Sequence, residues 1–167
     1  LRKPDEPEFN IDSTAENIAR GILLNKTAAN GQIPVIYGTR KVGGTLAFLE
    51  TSGTDNQYLY MALILGEGEI DDITKIFVND NEVTFDGDLA DNVQRDVASS
   101  DSNYYRDSAS LIKIEPHFGS DSQTASSLLD TLTSWTSNHR LRGVAYLAIR
   151  FEWNSDAFGS IPTVNAL

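Results

Sequence analysis

Residues 33–50 read Ile-Pro-Val-Ile-Tyr-Gly-Thr-Arg-Lys-Val-Gly-Gly-Thr-Leu-Ala-Phe-Leu-Glu, and no other stretch restricts the fold as strongly. Two short apolar runs, 33–37 and 42–49, flank a tight polar turn, Gly38-Thr39-Arg40-Lys41. Runs of this length, rich in β-branched and aromatic residues and bounded by glycine, are strands joined by a turn. Gly43-Gly44 after Val42 marks a β-bulge or bend and not a phosphate cradle.

The strand signal continues along the chain. Residues 58–65, Tyr-Leu-Tyr-Met-Ala-Leu-Ile-Leu, form an unbroken apolar run expected of a central buried strand, and Gly66-Glu67-Gly68-Glu69 ends it. Residues 73–78 alternate, and Asn79-Asp80-Asn81-Glu82 reads as a hairpin loop leading to Val83-Thr84-Phe85. Residues 111–118 alternate as well, with Pro116 pointing to an edge or a strand terminus. In 144–153, Val144, Tyr146, Ile149 and Phe151 mark a further strand. The strongest helix signal is 122–135, where Ser122 caps and Ala125, Leu128, Leu129 and Leu132 share a face. Residues 86–106 are polar and acidic, with Leu89, Val93 and Val97 as the larger aliphatics, and are expected to be an exposed insertion.

The expected architecture is therefore mainly β, a β-rich α+β antiparallel barrel or sandwich with one or two short helices and that insertion. The β-rich domain spans 25–167, preceded by an extended arm at 1–24 that carries a short helix near 18–24. The expected core is Val35, Tyr37, Val42, Leu46, Leu63, Leu65, Ile76, Val78, Ile112, Ile114, Leu128, Leu132, Val144, Tyr146 and Ile149. The absence of an initial Met and the apolar run 161–167 at the other end suggest a piece of a longer polypeptide.

Composition narrows the function classes. The chain of 167 residues carries 13 Lys+Arg against 24 Asp+Glu, a formal net charge of −11, and such a surface repels phosphate backbones. There is no cysteine, so disulfides and thiolate metal sites are ruled out. No apolar run reaches the roughly 18 residues that cross a bilayer. The two histidines, His117 and His139, are too few for a His-rich metal site, and no Gly-x-Ser-x-Gly nucleophile elbow occurs. His117 reads as a strand-end residue bonded to backbone. Asp86-Gly87-Asp88 with Asp91 is acidic, yet Ala90 falls where an EF-hand loop needs an oxygen ligand, so it reads as a solvated loop. Gly66-x-Gly68 lacks the third glycine of a dinucleotide loop, Asp71 standing in its place. Expected catalytic, cofactor-binding and metal-ligating residues are therefore none. Arg40, Lys41, Arg142 and Arg150 are scattered cations of an acidic chain, and Tyr146 and Trp153 are strand aromatics.

Four segments in order resemble one family. They are the 33–44 phrase, then 63–70 with Ile76-Phe77-Val78-Asn79-Asp80, then His117-Phe118-Gly119-Ser120-Asp121-Ser122-Gln123, and Leu141-Arg142-Gly143-Val144-Ala145-Tyr146-Leu147. Together they are similar to the central hub proteins of phage tail tips, the tip attachment protein J family of lambda-like phages and related prophage and gene-transfer-agent hubs. Residues 9–49 also resemble the end of a smaller lambda-type tail assembly protein, with Asn30 where that family usually has Gln. The resemblance implies a structural, non-enzymatic component of a virion tail tip, made in the bacterial cytoplasm and without cofactor. It implies a homotrimer that closes the tail tube and contacts tube, tape-measure and receptor-binding proteins, with no sequence-specific nucleic acid and no membrane insertion. Because the resemblance implies a ring assembly, Arg40, Lys41, Arg142, Tyr146, Arg150 and Trp153 are the candidate interface residues. An acidic surface would suit a lumen through which DNA passes.

Two other readings compete. A receptor- or glycan-binding module of the tail tip would use Tyr58, Tyr60, Tyr104, Tyr105 and the 86–106 insertion. A cell-wall hydrolase would need a carboxylate pair, and Glu67 with Glu69 would stand too close on one strand face for either usual glycosidase geometry.

Overall fold

A computed structural model describes residues 32–167. The expected arm at 1–24, with its helix near 18–24, lies outside the described residues. The described chain is built on strands: β1 (Thr45–Ser52), β2 (Tyr58–Glu67), β3 (Ile76–Val78), β4 (Asn81–Val83), β5 (Arg95–Asp96), β6 (Tyr105–Arg106), β7 (Ala109–Ser110), β8 (Ile112–His117), β9 (Val144–Glu152) and β10 (Val164–Ala166). They form an open five-stranded antiparallel sheet in the order β1-β2-β9-β8-β5, a three-stranded sheet β10-β3-β4 and the hairpin β6-β7. The sheet does not close into a barrel, because β1 and β5 end it without meeting.

The large sheet is covered on both faces, which explains the unbroken apolar run of β2. Leu59, Met61, Leu63 and Leu65 join Leu147, Ile149 and Phe151 of β9 in a core completed by Ile76, Val78, Phe158 and Val164 of the small sheet and its connections. Tyr58, Tyr60, Ala62 and Ile64 join Tyr146 and Ala148 on the other side, under Leu128, Leu129, Leu132 and Trp135. The register Met61↔Ile149, Ala62↔Ala148, Leu63↔Leu147 keeps each set on its own face.

The cover over the second face is not the expected helix. Residues 122–135 run as irregular chain at 123–126 followed by turns at 127–134, and among the described residues the only helical element is a 3-10 turn at Thr54–Asn56. Leu128, Leu129, Leu132 and Trp135 are buried nonetheless. The reason lies in β8. The Glu115 carboxylate accepts hydrogen bonds from Ser126 Oγ (2.6 Å), Leu128 N (2.7 Å), Ser127 Oγ (3.1 Å) and Ser127 N (3.2 Å). Those amides are thereby held by a neighbouring strand, and Ser126 Oγ accepts from Leu129 N in turn (3.2 Å). Serine-rich segments offer such alternatives to helical bonding.

Local turn chemistry matches sequence. Asn79 and Asp80 both adopt positive φ, 47° and 65°, between Val78 and Asn81, the signature of a two-residue type I′ hairpin. The loop is therefore shorter than expected, with Asn81 and Glu82 already in β4. Pro116 pairs only with Leu147 of β9 within the ladder, since β5 reaches no further than Lys113 and Ile114.

Two further expectations need correction. Of the 33–37 run only Val35 bridges, to Glu67, and Val35 and Tyr37 are 56% and 86% exposed, not core. The segment 86–106 exposes Asp86, Gly87 and Asp88 but is anchored further on, where Val97, Asp101 and Tyr104 are buried. Asp101 accepts from the backbone amides of Thr84, Asn103 and Tyr104, and the Tyr104 hydroxyl donates to Val78 O at 2.8 Å. The Tyr104 ring stacks on Phe158 with centroids 5.6 Å apart. An aromatic and a buried cap thus tie a polar stretch into the first core.

Candidate functional site

The residues 33–44 form an arch on the surface. One foot is the Val35–Glu67 bridge, with Glu67 N donating to Pro34 O at 2.9 Å. The other is a reciprocal pair, Val42 N to Ala166 O (2.8 Å) and Ala166 N to Val42 O (2.9 Å). Between the feet Gly38 takes φ 67°, and Tyr37 is carried into solvent. A groove of about 480 Å³ runs beside the arch, lined by Pro34, Tyr37, Arg40, Lys41, Gly44 and Leu65 among others. Among the described residues no acid lines it. On the other side of Arg40 a second groove of about 310 Å³ is bordered by Glu69, Asp71 and Asp72. Lys41 is fixed by its ammonium, which sits 3.7 Å from the centre of the Phe77 ring. Gly44 is required here by space: a Cβ would stand 2.5 Å from Leu63 Cγ and 2.7 Å from Ile64 O.

The other candidate interface residues scatter. Arg142 is exposed in the turn before β9, at the end where Gly68 bridges Val144. Trp153 is 56% exposed at the opposite end, its amide donating to Gln57 O at 2.7 Å. Arg150 is half-buried with its guanidinium 5.1 Å from the Tyr58 ring centre. Tyr146 is 0% exposed and lies inside the second core, so it cannot reach a partner. The tyrosines of the receptor-binding reading fare similarly: Tyr60 and Tyr104 are buried, Tyr58 and Tyr105 half-buried.

Sequence reasoning missed a buried polar cluster beneath the 122–141 cover. His117, the last residue of β8, is 0% exposed and stacks on Tyr146 with centroids 4.2 Å apart and planes 4° from parallel. Its Nε2 lies 3.6 Å from Glu115 Oε1, and neither ring nitrogen has a hydrogen-bond partner, contrary to the expected backbone bond. Burial lowers the His117 pKa, opposed by the nearby Glu115 and Asp91 carboxylates. Burial raises the Tyr146 pKa, with Glu115 adding to the rise. Gln123, also buried, donates to Arg140 O and Leu141 O at 2.8 Å and accepts from Gly119 N at 2.8 Å, closing the cover onto the sheet. Sealed from solvent, this cluster holds structure together. The one sequence sign of it was a carboxylate at an inward position of a strand, Glu115 between Ile114 and Pro116. Among the described residues no three His, Asp or Glu side chains gather as metal ligands.

No family model matches the chain. The baseplate hub protein pb3 of Escherichia phage T5 is 22% identical to it, over 95% of this chain and 21% of that protein. The chain therefore spans about a fifth of the curated relative's length. Among solved structures, a chain of the virion of a native gene transfer agent particle superposes with a TM-score of 0.56 at 17% identity, covering 88% of this chain and 29% of that one. The chain is thus similar in fold to one found in the virion of a gene transfer agent.

Proposed function

We propose that this chain is a structural module of a bacteriophage-type tail, part of the central hub that closes the tail tube and leads on to host-recognition modules. The observation that carries the reading is the match to a baseplate hub protein along 95% of this chain. The likeness to a gene-transfer-agent virion chain supports it. In this reading the protein is a scaffold and not an enzyme, and it acts as a homotrimer within the assembled tail. A ring of this kind needs a heterologous interface, one surface of a subunit against a different surface of the next. The exposed arch and the edge of β1, which is unpaired among the described residues, are surfaces of the right sort.

The test is made on particles. Virions carrying an epitope on the encoded protein are labelled with gold-conjugated antibody and imaged. Label at the tail end, with trimers released on mild dissociation, is the expected result. Particles of normal length and infectivity that lack the polypeptide by mass spectrometry would refute the assignment.

A further inference from the structure

We propose that the groove beside the 33–44 arch, together with the open edge of β1, docks an extended acidic segment of a partner protein, laid down as an added strand. Three observations converge. First, β1 is an eight-residue strand at the end of the sheet, and among the described residues its ladder partner is β2 alone. Unpaired edges of this length template further strands unless bulges or charges blunt them. Here one bulge lies between Leu46 and Phe48, and Glu50 is the one charge.

Second, the groove continues into that strand through Gly43, Gly44 and Thr45. Leu49 pairs opposite Met61 and so faces the same side as the groove's Leu65; it is 42% exposed. Val35 and Tyr37 stand exposed at the groove's other end. Leu49 on the strand and Val35 and Tyr37 on the arch thus offer exposed apolar sites to the alternate side chains of an extended segment.

Third, the charge is local and of the wrong sign for the rest of the molecule. The chain's net charge is −11, yet Arg40 and Lys41 line this groove and among the described residues no acid does, the acids Glu69, Asp71 and Asp72 lying in the second groove on the other side of Arg40. Complementary charge selects an acidic segment over a basic one. The inference deepens the proposed structural role by naming a partner's chemistry, but its test reads the groove directly and is independent of whether the protein sits in a tail.

The probe is a fluorescein-labelled ten-residue peptide alternating Glu and Val around a central Tyr, followed by anisotropy against the full chain. Its counterpart replaces every Glu with Lys. Saturable binding of the acidic peptide is expected, at least ten-fold weaker for the Lys peptide and for Arg40→Glu, with amide exchange slowed within Thr45–Ser52. Lys41→Gln is expected to weaken binding in the same direction, and the thermal midpoint of each variant confirms that it folds. Equal binding of the two peptides, no loss with Arg40→Glu, protection elsewhere or no saturable binding would each overturn the proposal. So would sedimentation showing dimers that Arg40→Glu dissociates, because the groove would then belong to a second copy.

Discussion

Glu115→Gln tests the account of the helix-free cover. Glu115 is 2% exposed, and its two carboxylate oxygens divide the donors between them. Oε2 takes Ser126 Oγ and Leu128 N, and Oε1 takes Ser127 N and Ser127 Oγ. A glutamine keeps one oxygen and offers an NH2 in place of the other. The serine hydroxyls can rotate to accept from that NH2, but a backbone amide cannot. One amide, Leu128 N or Ser127 N, is left facing a donor. A stranded buried donor costs about 1–3 kcal/mol, and the loss of charge assistance in the remaining bonds adds about 1 kcal/mol. Relief of burying a charge works in the opposite direction, but this carboxylate is fully bonded, so the loss of bonds dominates. The expected change is about 2–4 kcal/mol of destabilisation in urea unfolding, with faster amide exchange at 126–129. A change below about 0.5 kcal/mol, or a gain in stability, would mean that Glu115 does not organise the cover.

Other outcomes follow from the same structure. Leu63→Ala, at a site with 0% exposure, should cost about 2–5 kcal/mol in chemical denaturation, and a loss under about 1 kcal/mol would remove β2 from the centre of the core. Gly44→Ala should lower the melting temperature, and in a double-mutant cycle Leu63→Ala should recover part of that loss, since Leu63 Cγ is one of the two atoms in the way. Because burial holds the His117 pKa below its unfolded value, the unfolded chain binds the extra proton first. Stability should therefore be full above about pH 6.5 and fall as the pH drops below it, and His117→Phe should flatten that slope in thermal melts. Trypsin should cut at Arg140 or Arg142, in the exposed stretch 136–142, before Arg95 or Arg106; mass spectrometry of early fragments showing Arg95 cut first would contradict the anchoring of 86–106.

Strands were legible where one physical signal governed them. The apolar run at 58–65, the alternation at 111–118 and 144–153 and the Asn79-Asp80 turn each sit in a strand or hairpin of the described fold. The helix at 122–135 misled because its leucine spacing suits a helix, while the partner that redirects its amides, Glu115, lies on another strand and leaves no local trace. Tyr104 and Asp101 misled in the opposite sense: a polar composition concealed one long-range hydrogen bond and one ring stack. Val35 and Tyr37 carried a strand pattern, but strand pattern does not say whether a neighbour covers it, and here none among the described residues does. The arch and its groove were visible in sequence only as a turn with two cations. Their meaning came from what surrounds them.

The pairing of β2 with β9 joins Tyr58 to Glu152 and Glu67 to Val144, the centre of the sheet closing across the middle of the chain. During synthesis the hairpin of β1 and β2 emerges with apolar side chains on both of its faces, and β9, the strand that pairs with the other edge of β2, follows only after β3 to β8. Non-local closure of this kind slows folding and leaves aggregation-prone surface exposed in the interval. Interrupted translation anywhere between β2 and β9 therefore yields a sticky nascent polypeptide rather than a shortened domain. The order in which the strands appear leaves the place beside β2 unfilled until β9 is made, with Phe158 and β10 still to join the first core.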